Sequence, residues 1–139
     1  MTHRLGIDLG GTKIEAIIID EQFQVIKRER VATKREEGYA AILGRIVKLA
    51  KSIIKDIHDI ESPIGICTPG TIESDTGLLK NSNTVCLIGK PIQKDMEREL
   101  GIPVVMENDA NCFALAEATI GAAKKYNVVF GVILGTGCG

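Results

Sequence analysis

The feature that most constrains the fold is a pair of short apolar runs that meet at a double glycine, ahead of any helical pattern. Residues 5–9 and 14–19 are rich in Leu and Ile, and Gly10-Gly11 lies between them. This arrangement is typical of a β-hairpin. Residues 23–31 follow as a charged run that suits an edge strand. Because a dinucleotide-binding Rossmann unit places a helix directly after its first strand, three successive strands argue against that fold.

Helical and strand patterns alternate after the hairpin. Apolar residues recur every three or four positions from about residue 37 to residue 60, which predicts a long amphipathic helix. Further along, the sequence predicts a strand at 64–67, an irregular excursion with a small hairpin at 68–90, a helix at 92–100, a strand at 104–106, a helix from 108 to about 123 and a strand at 127–134. This order predicts one α/β domain with a mixed sheet flanked by helices.

Composition narrows the class of partner. The 139 residues are 45% hydrophobic and 25% charged, which is typical of one globular domain. A net charge of -1 creates no strong field toward nucleic acid or anionic lipid, and the apolar runs are too short to span a bilayer. The four cysteines have no metal-ligand or disulfide spacing, which favours a reducing cytoplasm. We therefore expect a cytoplasmic protein whose partner is neither nucleic acid nor membrane.

The hairpin turn is the first candidate phosphate site. Paired glycines, Gly10 and Gly11, allow backbone N–H groups to approach an anion, and Thr12 and Lys13 add a hydroxyl and a cation. Asp8 is a candidate Mg²⁺ ligand beside that cradle. The segment is neither a Walker loop nor a G-x-G-x-x-G fingerprint. The alternative is a plain tight turn in which the glycines serve only the backbone.

Glycine and hydroxyl groups recur after the last predicted strand, in Gly135-Thr136-Gly137. This segment is a second candidate phosphate site, and the alternative is a flexible tail.

Two polar segments are candidates for substrate contacts. Asp109 lies where the strand at 104–106 gives way to a helix, so its carboxylate is placed to accept a proton from a substrate hydroxyl beside the Asn108 amide. The alternative is that Asn108 or Asp109 only caps the helix. Asn83 lies in an amide-rich loop suited to a polyhydroxylated ligand, or in a solvated turn. Phosphoryl transfer to a sugar requires this combination of phosphate loops, base and amides.

With these residues in place, the sequence resembles the ROK family (repressor, open reading frame, kinase) of the actin-like, ribonuclease-H-like ATPase superfamily. The resemblance covers nearly the whole chain. It rests on four ordered motifs, namely Gly6 to Lys13, Thr68-Pro69-Gly70, Glu107 to Asn111 and Gly135-Thr136-Gly137. It implies a ribonuclease-H-like domain that uses ATP and Mg²⁺.

The resemblance also implies residue roles. Asp109 would be the general base, Asn108 and Asn83 would hold sugar hydroxyls, and Gly70 and Glu117 would be further substrate contacts. The substrate would be a hexose such as fructose, mannose or glucose, because the motifs are most similar to bacterial fructokinase or mannokinase members. N-acetylglucosamine kinases share the motif around Asp109, so an amino-sugar kinase is an alternative.

Family kinases have a second domain that carries a zinc motif and most of the adenosine pocket. The resemblance therefore implies that residues 1–139 are the N-terminal domain of a two-domain kinase that is a homodimer when full length, and that this part alone is inactive. A sugar-responsive repressor of the same family is a rival interpretation. It is disfavoured because the first phosphate strand begins at Leu5, with no room for a DNA-binding module before it.

Overall fold

The computed structural model describes residues 2–134. In chain order the strands and helices are β1 (Arg4–Leu9), β2 (Lys13–Ile19), β3 (Val25–Ala32), α1 (Tyr39–Ile54), β4 (Ile64–Thr68), β5 (Thr71–Ile72), β6 (Leu79–Lys80), α2 (Ile92–Leu100), β7 (Val104–Asn108) and α3 (Asp109–Thr119). The predicted hairpin, the edge strand and the small hairpin β5–β6 within the long excursion are all confirmed.

The main sheet is mixed, as predicted. Its five strands follow the order β3-β2-β1-β4-β7. Pairings β1–β2 and β2–β3 are antiparallel, whereas β1–β4 and β4–β7 are parallel. Three neighbouring strands, β1, β4 and β7, therefore run in the same direction and end at one edge of the sheet.

The hydrophobic core lies between one face of this sheet and the helices α1 and α2. Every second residue of β1, β2, β4 and β7 is buried on that face, as the period of a strand requires. The helices contribute one apolar stripe each, consisting of Ile42, Ile46, Leu49, Ala50 and Ile53 from α1 and Ile92 and Met96 from α2. The amphipathic pattern read from the sequence is therefore the packing face of α1.

The opposite face of the sheet is the more open one. The alternate residues of β1, β4 and β7 point there, among them Asp8, Cys67 and Glu107. Helix α3 contacts β4 and β7, and its Cys112 lies against Cys67, so α3 packs on this second face. None of the helices in residues 2–134 combines the length and apolarity that a membrane crossing requires.

Two predicted helix ends and one predicted strand were wrong. Helix α1 ends at Ile54 instead of residue 60; beyond it, Asp59 adopts a left-handed conformation (φ 62°) and Ile60 forms a bridge with His3, so residues 59 and 60 cannot continue the helix. Helix α3 ends at Thr119 instead of about residue 123. The strand predicted over 127–134 is also wrong, since no strand follows β7 in the described residues. Within residues 2–134 no strand pairs with this segment, and Phe130 is 90% exposed.

Candidate active site

Three of the sequence motifs meet at the carboxyl edge of the sheet. The ends of β1, β4 and β7 lead respectively into the glycine turn at 10–13, the Pro69-Gly70 turn and Asp109. In open α/β sheets, ligands bind in the crevice outside the carboxyl ends of parallel strands. The topology therefore brings the predicted phosphate, sugar and base residues to one crevice.

Hydrogen bonds from Thr33 hold the glycine turn in place. The turn closes with a bond from Gly10 N to the Lys13 carbonyl (2.9 Å). Buried Thr33 donates from its hydroxyl to the Gly10 carbonyl (2.7 Å) and from its backbone N–H to the Thr12 carbonyl (2.9 Å). Arg45 Nη1 in turn donates to the Thr33 carbonyl (2.9 Å). Sequence reasoning missed Thr33, because its two partners in the glycine turn are more than 20 residues away and no local pattern marks it.

The two glycines of the turn have different reasons to be glycine. A Cβ atom on Gly10 would lie 2.7 Å from the Lys13 carbonyl oxygen, so the fold itself excludes a side chain there. In the part of the chain that the structure describes, a Cβ on Gly11 would meet only Thr84 Oγ1, at an ordinary 3.7 Å, and Gly11 has no left-handed φ. The fold leaves room for a side chain at Gly11, and that room is a cradle of the kind that a phosphate group fits.

Asp8 lies on the open face beside other carboxylates. Its pKa is raised by partial desolvation and then by the negative charges of Asp109 and Glu15. Glu15 is its register partner on β2. A bound cation would relieve this repulsion, so the Asp8 carboxylate would suit a Mg²⁺ ion. Within residues 2–134 no cluster of three or more potential metal-ligating side chains is found, so the phosphates would have to supply much of the coordination.

Asn108 connects the start of α3 to the Gly70 turn. Its Oδ1 accepts from Ala110 N (3.0 Å), and its Nδ2 donates to the Gly70 carbonyl (2.8 Å). The capping interpretation is thus confirmed for Asn108. Asp109, the first residue of α3, is exposed at the crevice and its Oδ1 accepts from Ala110 N (2.9 Å). One amide side chain therefore fixes the candidate base relative to the neighbouring turn.

The Gly70 turn in turn packs on the loop that carries Asn83. Gly70 has a φ of 119°, and a Cβ there would lie 2.6 Å from the Lys80 carbonyl and 3.2 Å from Ser82 Cβ. Only glycine allows this close approach. Ser82 and Thr84 are buried, and Ser82 Oγ accepts from Thr84 N (3.1 Å), which leaves the intervening Asn83 exposed.

Glu117 and the second glycine segment stand apart from this group. Glu117 lies eight positions after Asp109 along α3, roughly 12 Å at the helical rise per residue. Its Oε2 accepts from Ala122 N (2.8 Å) beyond the end of the helix. The structure therefore does not bring it together with Asp109. Gly135, Thr136 and Gly137 lie outside the described residues.

The thiols of Cys67 and Cys112 lie close to the carboxylates of Asp8 and Asp109. Burial raises the pKa of Cys67 and of Cys112, and the charges of Asp8 and Asp109 raise both further. Both are free cysteines, as the scattered spacing predicts, and both are partly buried. They line the site as neutral groups.

The chain is similar to known proteins along nearly its whole length. The model of the ROK family matches residues 4–139. The N-acetyl-D-glucosamine kinase of Vibrio cholerae serotype O1 is 40% identical over 134 residues, which are 96% of this chain and 44% of that relative. The chain thus spans less than half the length of that relative.

Two solved structures have the same fold. A ROK family glucokinase from Streptomyces griseus, in complex with glucose and AMPPNP, has a TM-score of 0.82 at 30% identity, over 99% of this chain and 43% of that one. The ROK hexokinase from Thermus thermophilus has a TM-score of 0.77 at 32% identity, over 89% of this chain and 41% of that one. These similarities confirm the predicted fold class.

Proposed function

The chain belongs to the ROK family, and from that premise we propose that it is the N-terminal, sugar- and phosphate-binding domain of an ATP-dependent sugar kinase. The observation that carries the proposal is the placement of Asp8 and Asp109. Asp8 lies near the end of β1 and Asp109 is the first residue of α3, and burial together with the charge of Asp109 raises the pKa of Asp8, beside a glycine turn with an open cradle. A metal ligand and a base next to a phosphate site are the groups that phosphoryl transfer needs.

The proposed reaction moves the γ-phosphoryl group of ATP to a sugar hydroxyl. The turn formed by Gly10, Gly11, Thr12 and Lys13 holds phosphate oxygens through the backbone N–H groups of Gly11 and Thr12, the Thr12 hydroxyl and the Lys13 cation, while the Gly10 N–H closes the turn. Mg²⁺, when bound near Asp8, supplies positive charge that neutralises the phosphates. Asp109, the first residue of α3, accepts the proton of the attacking hydroxyl.

The sugar is proposed to lie against Asn83, Asn108 and Gly70. Asn83 is exposed on the loop that packs against Gly70, and Asn108 bonds the Gly70 carbonyl, so the Gly70 turn connects the two amides of this candidate sugar wall. The sequence favours fructose, mannose or glucose. The similarity to N-acetyl-D-glucosamine kinases supports the alternative, an amino sugar, at least as well.

A coupled ADP-release assay of the full-length protein tests the proposal. Fructose, mannose, glucose and N-acetylglucosamine are each supplied with MgATP, and turnover is compared with a reaction that lacks sugar. We expect at least one sugar to raise ADP release well above that background. Release at the background rate with all four would contradict the proposal. Light scattering of the same sample tests the prediction that the full-length protein is a homodimer.

A further inference from the structure

Thr84 carries a buried hydroxyl that has no partner in the described residues. The residue is 1% exposed, and Thr84 Oγ1 makes no hydrogen bond in that part of the chain. Its backbone N–H is satisfied by Ser82 Oγ, so the local turn does not need the side-chain hydroxyl. A buried hydroxyl without a partner destabilises a fold, because it gives up water and receives nothing in exchange.

The position of this hydroxyl is specific. Among the described residues other than Gly11 and its two chain neighbours, only Thr84 Oγ1 lies within 4 Å of the space that a Cβ on Gly11 would occupy, at 3.7 Å. Thr84 also directly follows Asn83, the exposed amide of the candidate sugar wall. It therefore lies where the loop that faces the sugar meets the turn that faces the phosphates.

Packing alone does not explain a threonine here. Valine has nearly the same shape and would fill the same space without burying an unpaired hydroxyl. A polar group kept at a cost to stability, next to a ligand cradle, points to a partner that it gains in another state.

We propose that Thr84 is a positioning residue of the nucleotide site. Its hydroxyl donates to the backbone carbonyl of Gly11 once a phosphate group binds to the Gly10–Lys13 turn. The N–H groups of the turn then face the anion, and the Gly11 carbonyl faces away from it. In this way the loop that holds the sugar and the turn that holds the nucleotide become linked. The inference rests on the proposed function, and it adds a residue that acts through Gly11 instead of touching the reacting atoms.

Thr84→Val and Thr84→Ser separate this role from packing. In the full-length protein without ligand, Thr84→Val should melt about 2 °C or more above the wild type, because an unpaired hydroxyl is removed. Isothermal titration with MgADP should show binding weakened by about fivefold or more, because the bond gained on binding is lost. Thr84→Ser keeps the hydroxyl and should bind MgADP within about twofold of the wild type.

Thr68→Val is the matched control for the melting measurement. Thr68 is also fully buried with an unpartnered hydroxyl, so this variant should gain thermal stability as well. A lower melting temperature for Thr84→Val, or MgADP binding equal to that of the wild type, would overturn the proposal.

The binding readout also separates this inference from the proposed function. A wild type that binds MgADP but phosphorylates no sugar contradicts the proposed kinase activity. The MgADP affinities of Thr84→Val and the wild type still test the Thr84 inference in that case. A wild type that phosphorylates a sugar, with Thr84→Val indistinguishable in MgADP binding, contradicts the Thr84 inference alone. A wild type that binds no MgADP contradicts both.

Discussion

Substitution of the two adjacent glycines by alanine should have opposite consequences. At Gly10 the new methyl group would lie 2.7 Å from the Lys13 carbonyl, a backbone atom that already closes the turn. The hairpin must shift to accept it, and such overpacking costs about 1–3 kcal/mol. We therefore expect Gly10→Ala to lower the melting temperature of the protein.

At Gly11 the same change should leave the fold intact and damage the site. The nearest atom to the new methyl group is Thr84 Oγ1 at 3.7 Å, and the backbone needs no positive φ. Removing a glycine also restricts the unfolded chain, which favours folding by about 0.4–1 kcal/mol. The methyl group would instead occupy the cradle, and a clash of about 1–3 kcal/mol there weakens nucleotide binding by about 5-fold to 150-fold.

Thermal unfolding and MgADP titration calorimetry of both variants, in the full-length protein, check this pair. The expected pattern is a folded Gly11→Ala with weak MgADP binding and a destabilised Gly10→Ala. Wild-type MgADP affinity in Gly11→Ala would refute the assignment of this turn to phosphate. A strong loss of stability in Gly11→Ala would refute the distinction between the two glycines.

Three further variants or treatments test the surroundings of the site. Asp8 has a raised pKa in the folded state, so the wild type loses stability as pH rises from 3.8 through that raised value. The free energy of unfolding of Asp8→Asn should therefore exceed that of the wild type by up to about 1 kcal/mol near neutral pH and equal it in strong acid, as measured by urea unfolding at several pH values. Asn108→Ala removes a helix cap and the bond to Gly70, and should cost about 1–2 kcal/mol in the same assay, whereas a neutral change would contradict the positioning role. The raised pKa values of Cys67 and Cys112 predict slow alkylation by iodoacetamide near neutral pH, measured by mass spectrometry, and labelling as fast as that of free cysteine would contradict it.

The sequence was sufficient where a pattern is local. The apolar alternation of β1 and β2, the stripe of α1 and the capping position of Asn108 follow from the spacing of residues within a few turns or strands. Their outcomes agree with the structure for that reason. The edge position of β3 also followed from its own charges.

Features that depend on distant partners were missed. Thr33 bonds to the glycine turn and Thr84 lies beside it, both from segments more than 20 residues away, and neither stands out in its own neighbourhood. The strand predicted at 127–134 has an apolar pattern but no strand beside it in the described residues. A strand needs a neighbour for its backbone hydrogen bonds, which the pattern of one segment cannot supply.

The central claim, that this chain carries the base of a sugar kinase, is tested most directly by the turnover number of Asp109→Asn in the full-length protein. Asparagine keeps an oxygen that can accept from Ala110 N, so the start of α3 and the melting temperature should be preserved. It cannot accept the proton of the sugar hydroxyl, so ADP release with the best sugar should fall by a factor on the order of 10² or more. Asp56→Asn, at an exposed position away from the site, is the matched control and should retain wild-type turnover. Wild-type turnover in Asp109→Asn would contradict the account.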